Sequence, residues 1–101
     1  MNKWYLRKAK NKYELYCIYD DFDDEIPILL LMNILENEYD NIIIQNEESD
    51  IMNGIYTRNL IINNIDFTIY EELSSLTFSS NSKEGDALIY HISAILKADM
   101  Q

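Results

Sequence analysis

Five of the six residues Asp20-Asp21-Phe22-Asp23-Asp24-Glu25 carry carboxylates, the densest concentration of reactive groups in the chain. Carboxylates at such spacing could hold a divalent cation or supply an acid and a base. Asp21, Asp23 and Glu25 stand at positions 1, 3 and 5 of an EF-hand loop. However, the sixth position is Ile26, where that loop needs Gly for its sharp turn, and the twelfth is Met32, where it needs a bidentate Glu. The pattern breaks where its geometry is strictest.

Other reaction centres fare no better. Asp20-Asp21-Phe22-Asp23-Asp24 also fits the Asp-Asp-x-x-Asp pattern of magnesium-dependent prenyl-chain enzymes, but these need a helical bundle larger than 101 residues can build. The sole histidine, His91, falls between Leu88 and Ile95 in a helical pattern, where imidazole more often packs at a boundary than serves as a base. Two glycines in total leave no phosphate-cradling loop and no Gly-x-Ser-x-Gly elbow. With 18 acids any carboxylate pair can be drawn, so a glycosidase pair carries no weight. The sequence points away from an enzyme and calls for no cofactor; a small metal-binding or catalytic module on Asp20 to Glu25 stays as the alternative.

The elements that must position these groups follow from periodicity. Trp4 to Ala9 and Tyr13 to Tyr19 alternate around Lys10-Asn11-Lys12, which predicts a hairpin with Trp4, Leu6, Tyr13, Leu15, Cys17 and Tyr19 on one face. Asp23 or Asp24 is then expected to cap a helix from about Glu25 to Glu38, with Pro27 in its first turn and apolar residues nearly all round. Ile42-Ile43-Ile44 reads as a short buried strand and Gln45 to Asp50 as an acidic loop before the Asn53-Gly54 turn. Ile55 to Ile62 and Ile65 to Tyr70 form a hairpin about Asn63-Asn64, so that Ile62 faces Ile65, Leu60 faces Phe67 and Arg58 faces Ile69. A strand at Leu76-Thr77-Phe78 follows. A second helix is expected after an Asn81 cap, with Leu88, Ile92, Ile95 and Leu96 inward and Asp86, Tyr90, Ser93 and Lys97 outward. The expected architecture is a single α+β domain over residues 1–101, order β-β-α-β-β-β-β-α, with a mainly antiparallel sheet.

Charge narrows the class of partner. Net charge is −10, yet residues 1–12 hold five of the eight basic residues and no acid, leaving 18 acids against Arg58, Lys83 and Lys97 in the remainder. Such a balance disfavours nucleic acid and anionic membrane surfaces, which reward clustered Lys and Arg. The basic, aromatic start of the chain, with Trp4 and Tyr5, reads as a hairpin rather than a single-strand platform. No apolar run reaches the roughly 18–20 residues of a membrane span. The lone Cys17 cannot form an internal disulfide, so the chain is expected to be a soluble cytoplasmic protein from Met1.

The acids gather at expected element ends with tyrosines beside them. Tyr19, Asp20, Asp21, Asp23, Asp24 and Glu25, with Tyr39 and with Glu47, Glu48 and Asp50, are the expected contact surface for a basic protein, with tyrosine supplying rigid contact area. In size, acidity, single cysteine and stretches such as Tyr19 to Glu25 and Asn53-Gly54-Ile55-Tyr56, the chain resembles the small acidic cytoplasmic immunity proteins that neutralise bacterial toxins, including those of contact-dependent growth inhibition. The resemblance implies a cognate toxin, often a nuclease, whose active site or substrate surface is covered. A phage-type inhibitor that mimics DNA has the same surface physics. An adaptor that dimerises through a sheet edge is a further reading, with monomer and homodimer both open.

Overall fold

In the computed structural model, residues 2–19 and 25–101 are described. Strand β1 (Lys3–Ala9) and β2 (Lys12–Ile18) form the expected hairpin, closed by Lys10 and Asn11 at φ 50° and 65°. Helix α1 (Pro27–Glu38) follows, then β3 (Ile42–Asp50), β4 (Ile55–Ile62), β5 (Ile65–Glu72) and β6 (Ser75–Ser80). A 3₁₀ turn (Lys83–Gly85) leads into α2 (Asp86–Ile95), and a two-residue strand β7 (Asp99–Met100) ends the chain. The molecule is an α+β fold with one seven-stranded sheet in the order β3-β4-β5-β6-β2-β1-β7, antiparallel throughout except where β7 runs parallel to β1.

Register follows from turn chemistry. Asn63 and Asn64 take φ 53° and 64°, the left-handed pair that a two-residue hairpin turn demands and that Asn tolerates. This sets Ile62 opposite Ile65, Leu60 opposite Phe67 and Arg58 opposite Ile69, as the spacing predicts. Because side chains alternate along a strand, one face of the sheet gathers Trp4, Leu6, Leu15, Cys17, Leu60, Ile62, Phe67, Ile69, Leu76 and Phe78, and both helices pack there. Leu31, Met32 and Leu35 of α1 and Leu88, Ile89 and Ile92 of α2 complete the core. The opposite face carries Tyr5 stacked on Tyr16 (5.0 Å between ring centres), with Arg7 over Tyr16 and paired to Glu14 at 3.0 Å.

Several sequence expectations need correction. The proposed caps Asp23 and Asp24 lie outside the described residues. The residue before α1 is Ile26, extended and without a side-chain cap, and the first turn holds Pro27 but no acid. Leu29 is exposed, so α1 is not covered all round. Gln45 to Asp50 is strand rather than loop: β3 continues past Ile44 through a bulge and pairs with β4 as far as Asp50–Ile55. Nor is β3 a buried strand. It forms the sheet edge and is largely exposed. Asn81 does not cap α2; its side-chain oxygen accepts from Thr68 Oγ1 at 3.2 Å. Ser93 is buried, its hydroxyl donating to the Tyr90 carbonyl at 2.6 Å, while Ile95 is exposed.

Candidate functional site

Strand directions bring the β3–β4 loop, the β5–β6 turn and the end of β2 to one end of the sheet. In the β3–β4 loop, Asp50 Oδ1 accepts from the Asn53 backbone N–H at 3.2 Å and Oδ2 from Asn53 Nδ2 at 2.8 Å. These bonds, the side-chain one foremost, hold the Asp50 carboxyl below its ordinary pKa. Gly54 closes the loop at φ 66°. Its carbonyl accepts from Leu73 N at 3.4 Å, which joins the two turns. Tyr19 is anchored to the same turn: its N–H donates to the Ser74 carbonyl at 3.0 Å, and its hydroxyl lies 2.9 Å from Glu71 Oε2 and 3.0 Å from the Leu73 carbonyl.

The joined turns display apolar side chains to solvent. Ile51 is 90%, Met52 97% and Leu73 79% exposed. Leu73 is also held at φ 55°, a left-handed conformation unfavourable for a bulky side chain. Around them stand Glu48, Asp50, Glu71 and Glu72. Tyr70 donates to Glu72 Oε2 at 3.0 Å, a bond that raises the Tyr70 pKa above the usual tyrosine value. Set back on the helix side, Arg58 is within 3.3 Å of Glu47 Oε1 and donates its Nε–H to the Tyr56 hydroxyl at 2.8 Å.

Of the expected contact set, Tyr19, Glu47, Glu48 and Asp50 lie at this end of the sheet, the three acids on the β3 edge and Tyr19 at the end of β2, with β4, β5 and β6 between them. Glu25 lies at the same end, on the β1 flank next to β2: Lys3 pairs with Ile18, and the Asn2 amide donates to the Glu25 carbonyl at 3.0 Å. Tyr39 sits at the other end of β3, beside Asp40, Asn63 and Leu88; burial first, and the Glu38 charge second, raise its pKa. Asp20, Asp21, Asp23 and Asp24 lie outside the described residues, as does the carboxylate-rich part of the candidate metal site. Among the described residues no three His, Cys, Asp or Glu side chains are arranged to hold a metal ion, and none of their helices is long and apolar enough to cross a membrane. His91 is exposed on α2, with Nε2 2.6 Å from Glu38 Oε1.

Sequence reasoning passed over Ile51, Met52 and Leu73. The signal was present: Ile51-Met52 directly precedes the Asn53-Gly54 turn and Leu73 precedes Ser74-Ser75, so large apolar residues fall where the chain must reverse at the surface. Charge is also divided across the sheet. Residues 36–84, which include β3 to β6, hold ten acids against Arg58 and Lys83, whereas five of the eight basic residues lie in the β1–β2 hairpin at the other flank. The acids on β3 have a second use, since charge and a bulge on an edge strand discourage pairing with other chains. Compared with protein-family models, curated proteins and solved structures, the chain matches none.

Proposed function

We propose that this chain is a non-enzymatic acidic binding protein that captures and neutralises a cationic protein. In its most specific form the reading is an immunity protein acting in the cytoplasm on a cognate bacterial toxin, with a nuclease, whose cleft is lined by Lys and Arg, as the best-fitting class. One observation carries it: Ile51, Met52 and Leu73 project into solvent on two hydrogen-bonded turns with acids around them. Burying such apolar side chains against a partner supplies affinity, whereas the surrounding charges speed association and select the partner's sign. A surface that served only solubility would have no use for three exposed apolar prongs.

The test is capture from the host that encodes the chain, followed by mass spectrometry and repetition with two variants. The expected catch is a basic protein held in fixed stoichiometry and released by high salt. Ile51→Ser/Met52→Ser should lose it through faster dissociation, and Glu48→Gln/Glu72→Gln through slower association. A catch indifferent to both variants would remove the support for this surface.

A further inference from the structure

The long open edge of the sheet is β3. The far flank ends in β7, which pairs with β1 at Tyr5 and Leu6, whereas β3 has β4 on one side and solvent on the other along its 9 residues. Among the described residues, the main-chain N–H and C=O groups that β3 directs away from β4 therefore have no ladder partner, the arrangement that takes up an added strand. Its side chains also lack a neighbour. Ile43 and Ile44 are 57% and 48% exposed, although β-branched residues in a sheet gain most where an adjacent strand covers them.

The pattern along the edge selects what can cover it. A bulge at Gln45 divides β3 into residues 42–44, all isoleucine, and residues 46–50, which carry Glu47, Glu48 and Asp50. Glu47 is matched within the molecule by Arg58 at 3.3 Å. Among the described residues, Glu48 and Asp50 have no cation partner, and both stand on the sheet face away from the helices, opposite Thr57 and Ile55. A second copy suits neither half. Antiparallel pairing over the whole strand sets the isoleucines of each copy against the acids of the other, which buries carboxylates beside apolar groups. The register that sets Ile43 against Ile43 joins only residues 42–44. A strand with Lys or Arg across from Glu48 and Asp50 meets both demands, because opposite charges directly across a ladder attract and like charges repel.

We propose that β3 takes up an extended cationic segment of the captured protein as an added antiparallel strand. Its leading half carries Lys or Arg at the alternate positions facing Asp50 and Glu48, and its trailing half carries β-branched residues facing residues 42–44. Antiparallel pairing is the commoner and the more stable of the two. The acids and the bulge that keep neutral strands and further copies off this edge thus choose a strand of opposite sign. This pairing, which rests on the capture reading for a cationic protein as partner, is continuous with the apolar tip, since Asp50 leads directly into Ile51 and Met52.

The probe is the acetylated, amidated peptide Lys-Thr-Lys-Thr-Thr-Val-Thr-Val, titrated into the full chain and followed by backbone amide resonances. Amides of residues 42–50 should shift saturably and gain protection from hydrogen exchange. Replacing both lysines of the peptide by glutamate should weaken binding about tenfold, and so should Ile43→Lys in a chain whose circular dichroism is unchanged. N-methylation of the first and third peptide residues, or of the second and fourth, should abolish binding in one case and spare it in the other, because only one set directs its N–H groups at β3. Sedimentation should find the free chain monomeric. No response at residues 42–50, equal effects of the two N-methylations, a glutamate peptide that binds as well, or a free chain already dimeric with these amides protected would each overturn strand addition. Each of these outcomes leaves the capture reading standing, and that reading fails separately if the host yields no basic partner.

Discussion

Leu73 donates its backbone N–H to the Gly54 carbonyl at 3.4 Å, so a left-handed, solvent-facing leucine is locked against the loop that carries Ile51 and Met52. Left-handed backbone costs a side-chain-bearing residue roughly 1–2 kcal/mol, and an exposed leucine recovers little of it in the isolated protein. Leu73→Gly should therefore raise stability by about 1 kcal/mol in urea titrations, after allowing for the extra freedom of glycine when unfolded. It should also weaken partner capture. A substitution that stabilises the fold and impairs binding marks a residue kept for contact; retained capture would leave the strain without that explanation.

Lys97, at φ 56°, ends α2 in the same conformation but in a different setting. Its N–H donates to the Ala94 carbonyl at 3.2 Å and that of Ala98 to the Ser93 carbonyl at 2.9 Å, the paired bonds of a Schellman cap in which glycine usually occupies this place. Lys97→Gly should stabilise by about 0.5–1 kcal/mol with no effect on capture. It is the control for Leu73→Gly.

Gly85 is demanded by space rather than by φ. A Cβ there would lie 2.2 Å from Ser80 Oγ, 2.3 Å from Ser80 Cβ and 2.9 Å from Phe67 Cε1. Gly85→Ala should destabilise the fold by about 1–3 kcal/mol through overpacking, read as a lower denaturation midpoint. An unchanged midpoint would mean that the start of α2 can move away from β6.

Asp50 gives the β3–β4 loop a pH dependence of definite sign. Its folded pKa lies below the ordinary aspartate value because the Asn53 side chain, and then its backbone N–H, hydrogen-bond to the carboxylate. The stabilisation is therefore fully present above the unfolded pKa and is lost as pH falls through the depressed folded value. The melting-temperature gap between the native chain and Asp50→Ala should hold steady through neutral and mildly acidic pH and close in strong acid. A gap that widened with acidification would contradict the assignment.

Much of the architecture was legible because local chemistry and global packing agree. The alternation at Trp4 to Ala9, the Asn63-Asn64 turn and the Arg58–Ile69 register each follow from side-chain period and left-handed tolerance. The nature of β3 was not legible, because Gln45 to Asp50 has the composition of a loop and becomes strand only through its pairing with β4 across the bulge. The strand β7 is likewise created by its neighbour β1. The acids were correctly seen as grouped, but sequence could not reveal that Asp50 is engaged by Asn53 and Glu47 by Arg58, or that Tyr39 and Tyr19 stand at opposite ends of the sheet. Nor could it show that Ile51, Met52 and Leu73 converge, since that depends on two turns far apart in the chain.

The most direct measurement is a pair of binding isotherms for the captured cationic protein, with the native chain and with Ile51→Ser/Met52→Ser/Leu73→Asn, each at low and moderate salt. The prediction is at least a hundredfold loss of affinity for the triple variant at both salt concentrations, with its fold intact by circular dichroism, together with a weakening of the native complex as salt rises. Equal affinities for the two chains, or binding that salt leaves untouched, would contradict an acid-ringed apolar tip as the capture surface.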